Sequence, residues 1–301
     1  MKRCHVLAYA KLNLSLRVLG KRTDGYHELD TYFLQVDLAD ELSFETSEHA
    51  GIELSCNWNS VPLDDSNLCA RAFHLIAKAI NREPGIRLHL EKRIPLGAGM
   101  GGGSSDAAVT LMVLNFLFDA GLSPEDLASL ARKLGSDVPF FLYGGLCHGS
   151  GRGEVLTPLA HLPELYALIV TPDIALATAA VYQNLKIGLT SIWKNTIFAD
   201  LNYDVVKFYR QHPMGQNDLE GWVLEQFPLL AQIKQKLIVQ GAIGASMTGS
   251  GSAVFGLFET FAAAQSAQQV LQAEFATHIA RPVKWGMKEI NKALNPEVFV
   301  G

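Results

Sequence analysis

Pro95-Leu-Gly-Ala-Gly-Met-Gly-Gly-Gly-Ser-Ser-Asp106 is the most informative stretch of this 301-residue chain. Just upstream, Ile86, Leu88 and Leu90 alternate with Arg87, His89 and Glu91, the period of a strand that runs to Ile94. Just downstream, the apolar run Ala107–Phe118 stops before Gly121, and Ser-Ser-Asp at its head is a helix start signal. A strand therefore delivers five glycines and two serines onto a helix N-terminus. Glycines admit positive φ and let backbone N–H groups come close to a ligand. The helix start adds unpaired N–H groups and a partial positive charge. Together they predict an anion cradle, most often for phosphate. Ser104 and Ser105 offer hydroxyls to phosphate or to a magnesium ion.

The residues alone leave the phosphate ligand open. No lysine follows the glycines, so the pattern is not a Walker A loop. Gly97, Gly99 and Gly102 do spell G-x-G-x-x-G, a dinucleotide signature. That site wants an acidic residue about 20 positions on, at the end of the next strand. Asp119 has the spacing but sits at the end of the helix. A plain turn that packs a helix on a sheet needs fewer glycines than this.

Outward from the loop, Leu12, Leu14, Leu16 and Val18 alternate with Lys11, Asn13, Ser15 and Arg17. A strand of that period puts Lys11 and Asn13 on one face. Asp24-Gly25 punctuates the chain before strands around Thr31–Leu38, Glu41–Glu45 and Ile52–Cys56. Asn67–Ile80 reads as a helix. Ser123-Pro124 opens another, which Gly135 closes. Ser136-Asp137-Val138-Pro139 opens a short apolar segment, residues 143–156 read as a hairpin, and Tyr166–Thr171 reads as a buried strand. The second half is expected to hold helices over Thr178–Lys186, Asp218–Gln240 and Phe261–Phe275, with strands over Ala253–Phe258 and Val283–Met287. This mixture predicts an α+β protein of two lobes, divided as residues 1–158 and 159–301.

Hydrophobic residues make up 49% of the chain and charged residues 18%, with a net charge of −5. That profile is globular, and it argues against a nucleic-acid or anionic-membrane surface, both of which need clustered positive charge. Cys4, Cys56, Cys69 and Cys147 form no C-x-x-C pair and read as reduced, buried thiols of a cytoplasmic protein. The apolar run after Lys2-Arg3 contains His5 and ends at Lys11, too short for a secretory segment. Leu237–Phe258 is free of charge, but its glycines and serines make it a buried glycine loop between a helix and a strand rather than a membrane span. His5, His49, His74, His89, His148, His161, His212 and His278 show no ligand spacing.

Three segments together resemble the GHMP kinases: Lys11-Leu-Asn13-Leu, the loop 95–106, and Met247-Thr-Gly-Ser-Gly-Ser-Ala-Val. Further segments narrow the resemblance to the branch that phosphorylates a cytidine diphosphate sugar alcohol in the non-mevalonate route to isoprenoid precursors. They are Arg22-Thr-Asp-Gly25-Tyr26-His27, Asn67-Leu68 with Arg71-Ala72, Gly135-Ser-Asp137-Val-Pro139-Phe, Gly151-Arg-Gly153-Glu154 and Asn217-Asp218-Leu-Glu220. Met100, Asp106 and Tyr182 stand where Leu, Asn and Phe are common in that branch, and none of these departures removes a reacting group. The remaining alternatives are a GHMP kinase for homoserine or a mevalonate derivative, and a dinucleotide-dependent oxidoreductase.

The resemblance implies a nucleotide-binding first lobe of mixed α/β structure and a ferredoxin-like second lobe, with ATP and Mg2+ as cofactors. It implies that Pro95, Leu96, Gly97, Ala98, Gly99, Met100, Gly101, Gly102, Gly103, Ser104 and Ser105 hold ATP, with Asn67 beside the adenine. Asp137 is the expected general base, with Lys11 keeping it ionised or meeting the transferring phosphoryl group. A helix N-cap and a solvated strand lysine are the plainer roles for those two residues. Asn13 orients the acceptor, Tyr26 and Tyr182 clamp the cytosine, His27 reads its edge, and Thr178 reaches the same ligand. Otherwise the two tyrosines pack in the core and His27 caps a turn. The magnesium ligands and the oligomeric state stay open, and the expected partner is the small-molecule substrate alone, with no nucleic acid and no membrane. Met247–Gly256 is expected to buttress the phosphate loop.

Overall fold

A computed structural model describes residues 2–185 and 204–294. The chain opens with a long antiparallel pair, β1 (Arg3–Lys21) and β2 (His27–Ser47). Asp24 makes the turn between them, its carboxylate accepting from the Tyr26 amide at 3.1 Å. The segment Glu41–Glu45, expected as a separate strand, is the far end of β2. Between Thr31–Leu38 and Glu41–Glu45 the pairing with β1 is interrupted by a bulge at Asp37–Leu38 and not by a turn.

β3 (Gly51–Cys56) runs parallel to β4 (Gly85–Glu91), with α1 (Leu68–Ala79) crossing between them. β4 pairs with the last part of β2, while β5 (Leu146–Gly151) pairs with its first part and carries β6 (Val155–Pro158). Between β4 and β5 lie α2 (Gly102–Leu117), α3 (Pro124–Leu134) and the short α4 (Phe140–Tyr143). The hairpin expected over 143–156 is the β5–β6 pair. α2 begins at Gly102, two residues before Ser104, because Gly101 takes the N-cap place in a left-handed conformation. α2 leads into α3 and not into a parallel strand, so the βαβ unit that a dinucleotide site requires is absent and that reading falls.

The second layer begins at β7 (Tyr166–Thr171). There follow α5 (Thr178–Gln183), α6 (Val205–Gln211), the two-residue β8 (Gln216–Asn217), α7 (Glu220–Gln226) and α8 (Pro228–Val239). Then come β9 (Gly244–Met247), β10 (Val254–Phe258), α9 (Phe261–Leu271), β11 (Ala276–Ala280) and α10 (Met287–Leu294). Strands β11-β7-β10-β9 form an antiparallel sheet, with α8 and α9 as its crossovers. That is the β-α-β-β-α-β order of ferredoxin-like folds.

Two expectations fail here. The helix over 218–240 is broken in two, since Pro228 has no N–H to donate and its ring clashes with the preceding turn. The strand placed at Val283–Met287 is at Ala276–Ala280 instead. Pro282 makes only an isolated bridge to Val36, and Gly286 already donates to Glu289 at the start of α10. The helix expected from Thr178 ends at Gln183, and Lys186 lies outside the described residues.

The central part of the first sheet, around Ala10–Val18 of β1, is buried on both faces. One face meets α1 to α4 through Phe33, Phe44, Phe73, Leu111 and Phe140. The other meets the second sheet through Leu12, Leu14 and Leu34 against Ile169, Phe255 and Leu257. β8 returns from the second half to pair with β1 in parallel, at Ser15 and Leu16. Cys69 and Cys147 are buried, whereas Cys4 and Cys56 are only half-buried, and all four thiols are free. No helix among the described residues is long and apolar enough to cross a membrane.

Candidate active site

Between the glycine loop, the polar face of β1 and the first residues of α5 lies a cleft of ≈ 1070 Å³. One wall is the stretch Pro95–Ser104. Gly97, Gly99 and Gly101 all have positive φ, which lets the chain wind tightly into α2. Gly99 is constrained further, because a Cβ there would stand 2.1 Å from the Thr248 carbonyl oxygen. The N-cap Gly101 brings no side chain to the first-turn amides of α2, so they remain available to an anion.

Two predicted nucleotide contacts lie outside the cleft lining. Ser105 is buried within α2. Asn67 caps α1: its Oδ1 accepts from the Cys69 amide at 2.9 Å, and its Nδ2 donates to the Pro62 carbonyl at 2.7 Å. Leu68 lines the cleft in its place.

Lys11 and Asn13 share a face of β1, as the period requires, and both are buried. Lys11 Nζ donates to Asn13 Oδ1 at 2.5 Å and stands 3.4 Å from Asp137 Oδ2. It also lies 5.6 Å from the centre of the Phe33 ring. Asn13 Nδ2 donates to Thr31 Oγ1 at 2.9 Å, so the amide is held at both ends. The Asp137 side chain is 35% exposed and lines the cleft. It does not cap α4, whose N-cap is Pro139 and which has no side-chain cap. The carboxylate is therefore left to the cleft.

At the other end of the cleft, Tyr26 lies beneath the Arg152 guanidinium, 4.3 Å from ring to cation. His27 stacks on Tyr182, with ring centres 5.2 Å apart and planes 25° from parallel. Thr178 Oγ1 bonds to Ser250 Oγ at 2.9 Å. Burial holds the His27 pKa below its usual value, with Lys21 adding to the effect, so the ring is neutral near pH 7. Burial, reinforced by the Asp137 charge, raises that of Tyr182 and keeps the phenol protonated.

Sequence reasoning missed a buried cluster beneath the loop. Lys92 Nζ lies between Asp40 and Asp106, donating to Asp40 Oδ2 and to Asp106 Oδ2, the latter at 2.6 Å. Asp40 Oδ1 accepts from the amides of Arg93 and Ile94 at 2.6 and 2.8 Å. Both ends of the glycine loop are thus tied to one ion cluster. Burial pushes the Asp106 pKa up to about 7, against the attraction of Lys92, and Asp40 pushes the same way. Asp106 Oδ1 has no hydrogen-bond partner among the described residues. The lysine just ahead of the loop was a visible signal, but Asp40, 52 positions earlier, was not. Arg152, Gly249 and Ser250 also line the cleft.

The second glycine segment packs on the first. Thr248 Oγ1 accepts from the Asn13 amide at 3.0 Å and meets the Gly99 carbonyl at 3.3 Å, while the Ala253 amide donates to the Ala98 carbonyl at 3.2 Å.

The chain is similar to known proteins over most of its length. The GHMP kinases N terminal domain matches residues 67–145 and the GHMP kinases C terminal domain matches residues 212–277. A 4-diphosphocytidyl-2-C-methyl-D-erythritol kinase of Citrifermentans bemidjiense is 43% identical over 271 residues, covering 89% of this chain and 94% of that protein. One of Chlorobium phaeobacteroides is 37% identical over 294 residues, covering 94% and 98%. A crystal structure of 4-(cytidine 5'-diphospho)-2C-methyl-D-erythritol kinase matches with a TM-score of 0.75 at 37% identity, covering 92% of this chain and 98% of the other. Homoserine kinase from Cytophaga hutchinsonii matches with a TM-score of 0.77 at 21% identity, covering 95% and 97%, a likeness of fold.

Proposed function

The chain belongs to the 4-diphosphocytidyl-2-C-methyl-D-erythritol kinase family of GHMP kinases, and from that premise we propose how its cleft transfers a phosphoryl group from ATP to the 2-hydroxyl of the cytidine diphosphate sugar alcohol. The observation that carries the reading is the buried Lys11 ammonium 3.4 Å from the Asp137 carboxylate, in a cleft walled by the glycine loop.

The loop from Pro95 to Ser104 receives the triphosphate, with glycine amides and the start of α2 meeting its charge. Asp137 accepts the proton of the acceptor hydroxyl as its oxygen bonds to the γ-phosphorus. The bond to the β,γ-bridging oxygen breaks, and ADP leaves with that electron pair. Lys11, 3.4 Å from the Asp137 carboxylate, offsets charge on the transferring group. Asn13 holds Lys11 in place and faces the acceptor. Among the described residues no trio of His, Cys, Asp or Glu forms a metal-binding group. Magnesium would enter with the nucleotide and neutralise phosphate charge, with the Ser104 hydroxyl on the cleft wall beside it.

The aromatic end suits the cytidine. His27 and Tyr182 form a stacked, neutral pair, and Tyr26 offers its exposed ring. Base stacking of this kind is worth roughly 1–3 kcal/mol. We assign residues 1–158 to the ATP-binding lobe and 159–301 to the substrate lobe, and place the reaction in the cytoplasm, where ATP is supplied. The decisive experiment measures ATP consumption against acceptor alcohols with and without a cytidine diphosphate group. Turnover confined to the cytidine-bearing acceptor is expected; equal turnover of homoserine or mevalonate would overturn the substrate assignment.

A further inference from the structure

Asn217-Asp218-Leu-Glu220 takes no part in the cleft wall, yet its polar groups hold the segment that does. Asn217 Nδ2 donates to the carbonyls of Met247 and Gly249, each at 2.8 Å, and its Oδ1 accepts from the Leu219 amide at 3.0 Å. Glu220 Oε1 accepts from the Met247 amide at 2.6 Å and from Ser246 Oγ at 3.1 Å, while its Oε2 pairs with Lys234. Asp218 Oδ2 accepts from the Val18 amide at 2.7 Å. Asn217 is itself the end of β8, which pairs with β1. One short segment therefore grips both β1 and the second glycine loop.

That loop presses on the reacting groups. A Cβ at Gly249 would stand 3.1 Å from the Gly99 oxygen, 3.3 Å from Lys11 Nζ and 3.4 Å from Asn13 Oδ1, on a backbone with φ +56°. The backbone of Gly249 thus forms the back wall behind the Lys11–Asn13 pair, and Thr248 ties the same loop to the Asn13 amide. On its other side the Lys11 ammonium lies 3.4 Å from Asp137.

We propose that Asn217 is a positioning residue for phosphoryl transfer: by bridging the carbonyls on either side of Thr248 it seats Gly249 against Lys11 and Asn13, so the second lobe sets where the Lys11 ammonium lies. The inference rests on the roles given above to Lys11 and Asp137. Losing the bridge takes the amide donor from both carbonyls, leaving Met247 only the long contact from Ser246 Oγ at 3.4 Å, and frees the loop to withdraw. Asn217→Asp keeps the acceptor toward Leu219 and sets a carboxylate oxygen against both carbonyls. Gly249→Ala disturbs the same contact from the other side and leaves Asn217 untouched.

The test compares Asn217→Asp, Asn217→Ala, Gly249→Ala and Lys11→Ala by steady-state kinetics, ADP binding by calorimetry and melting temperature. In the Asn217 variants and Gly249→Ala, kcat is expected to fall at least about tenfold, while the ADP dissociation constant and the acceptor KM stay within about threefold. A kcat within about threefold of the parent in folded Asn217→Asp overturns the proposal. So does a loss of kcat matched by an equal loss of ligand binding, the mark of a merely structural residue. Should the Asn217 variants fail to fold, an unaltered kcat in Gly249→Ala overturns it alone. Near-normal turnover in Lys11→Ala would instead sink the underlying catalytic reading.

Discussion

The Lys11 side chain is 3% exposed and that of Asp137 35%, an asymmetry that suits the roles proposed for them. The lysine is a fixture of the strand, bonded to Asn13, while the carboxylate faces the cleft. Lys11→Ala and Asp137→Ala are each expected to lose about 10²–10⁴ in kcat with ADP binding kept, read by steady-state rates and calorimetry. Tyr26→Ala is expected to raise mainly the KM for the cytidine substrate, and an unchanged KM removes Tyr26 from the binding surface. Asp106 gives a pH prediction. Its folded pKa, about 7, lies above the ordinary value of 3.8, so folding takes up a proton between those values. Stability contributed at this position is therefore greatest at acid pH and falls as pH rises through that window. Asp106→Asn removes the titration, and its melting temperature is expected to gain on the parent by a few degrees from pH 5 to pH 8. Lys11 and Asn13 were legible as neighbours because a period of two admits no other arrangement. The Asp40–Lys92–Asp106 cluster was not, because its members come from three elements.

At the scale of elements, local chemistry decided most boundaries. Ser123 and Asp126 form a reciprocal capping box, and Pro124 occupies the first turn, which is why α3 begins where its residues say it should. The errors have local causes as well. A continuous apolar-rich pattern over 218–240 hid the break at Pro228, and Val283–Met287 resembled a strand only until Pro282 and the start of α10 are considered. The glycine loop is an element whose shape depends on another. Gly99→Ala is expected to drive its methyl into the Thr248 carbonyl, raising the KM for ATP about tenfold or more and lowering the melting temperature; kinetics with ATP varied at saturating acceptor check it.

At the scale of the molecule, the two sheets meet through β1, whose apolar face packs on the second sheet and whose polar face lines the cleft. A ligand that engages both walls must stabilise the whole. Mg–ATP at about 100 times its dissociation constant is expected to add roughly 2.7 kcal/mol, raising the melting temperature by several degrees, while NAD leaves it unchanged in a thermal scan. What the sequence alone determined was the local pattern: five glycines run into a helix start, the arrangement from which an anion cradle is expected, and a two-residue period places a lysine beside an asparagine. What only the tertiary structure decided was which distant groups meet them. Asp137 arrives 126 positions after Lys11, and Asn217, at the end of β8, reaches the carbonyls of Met247 and Gly249. No local preference encodes those meetings; they follow from packing the centre of the first sheet between the helices and the second sheet, which brings distant segments together around its polar seam.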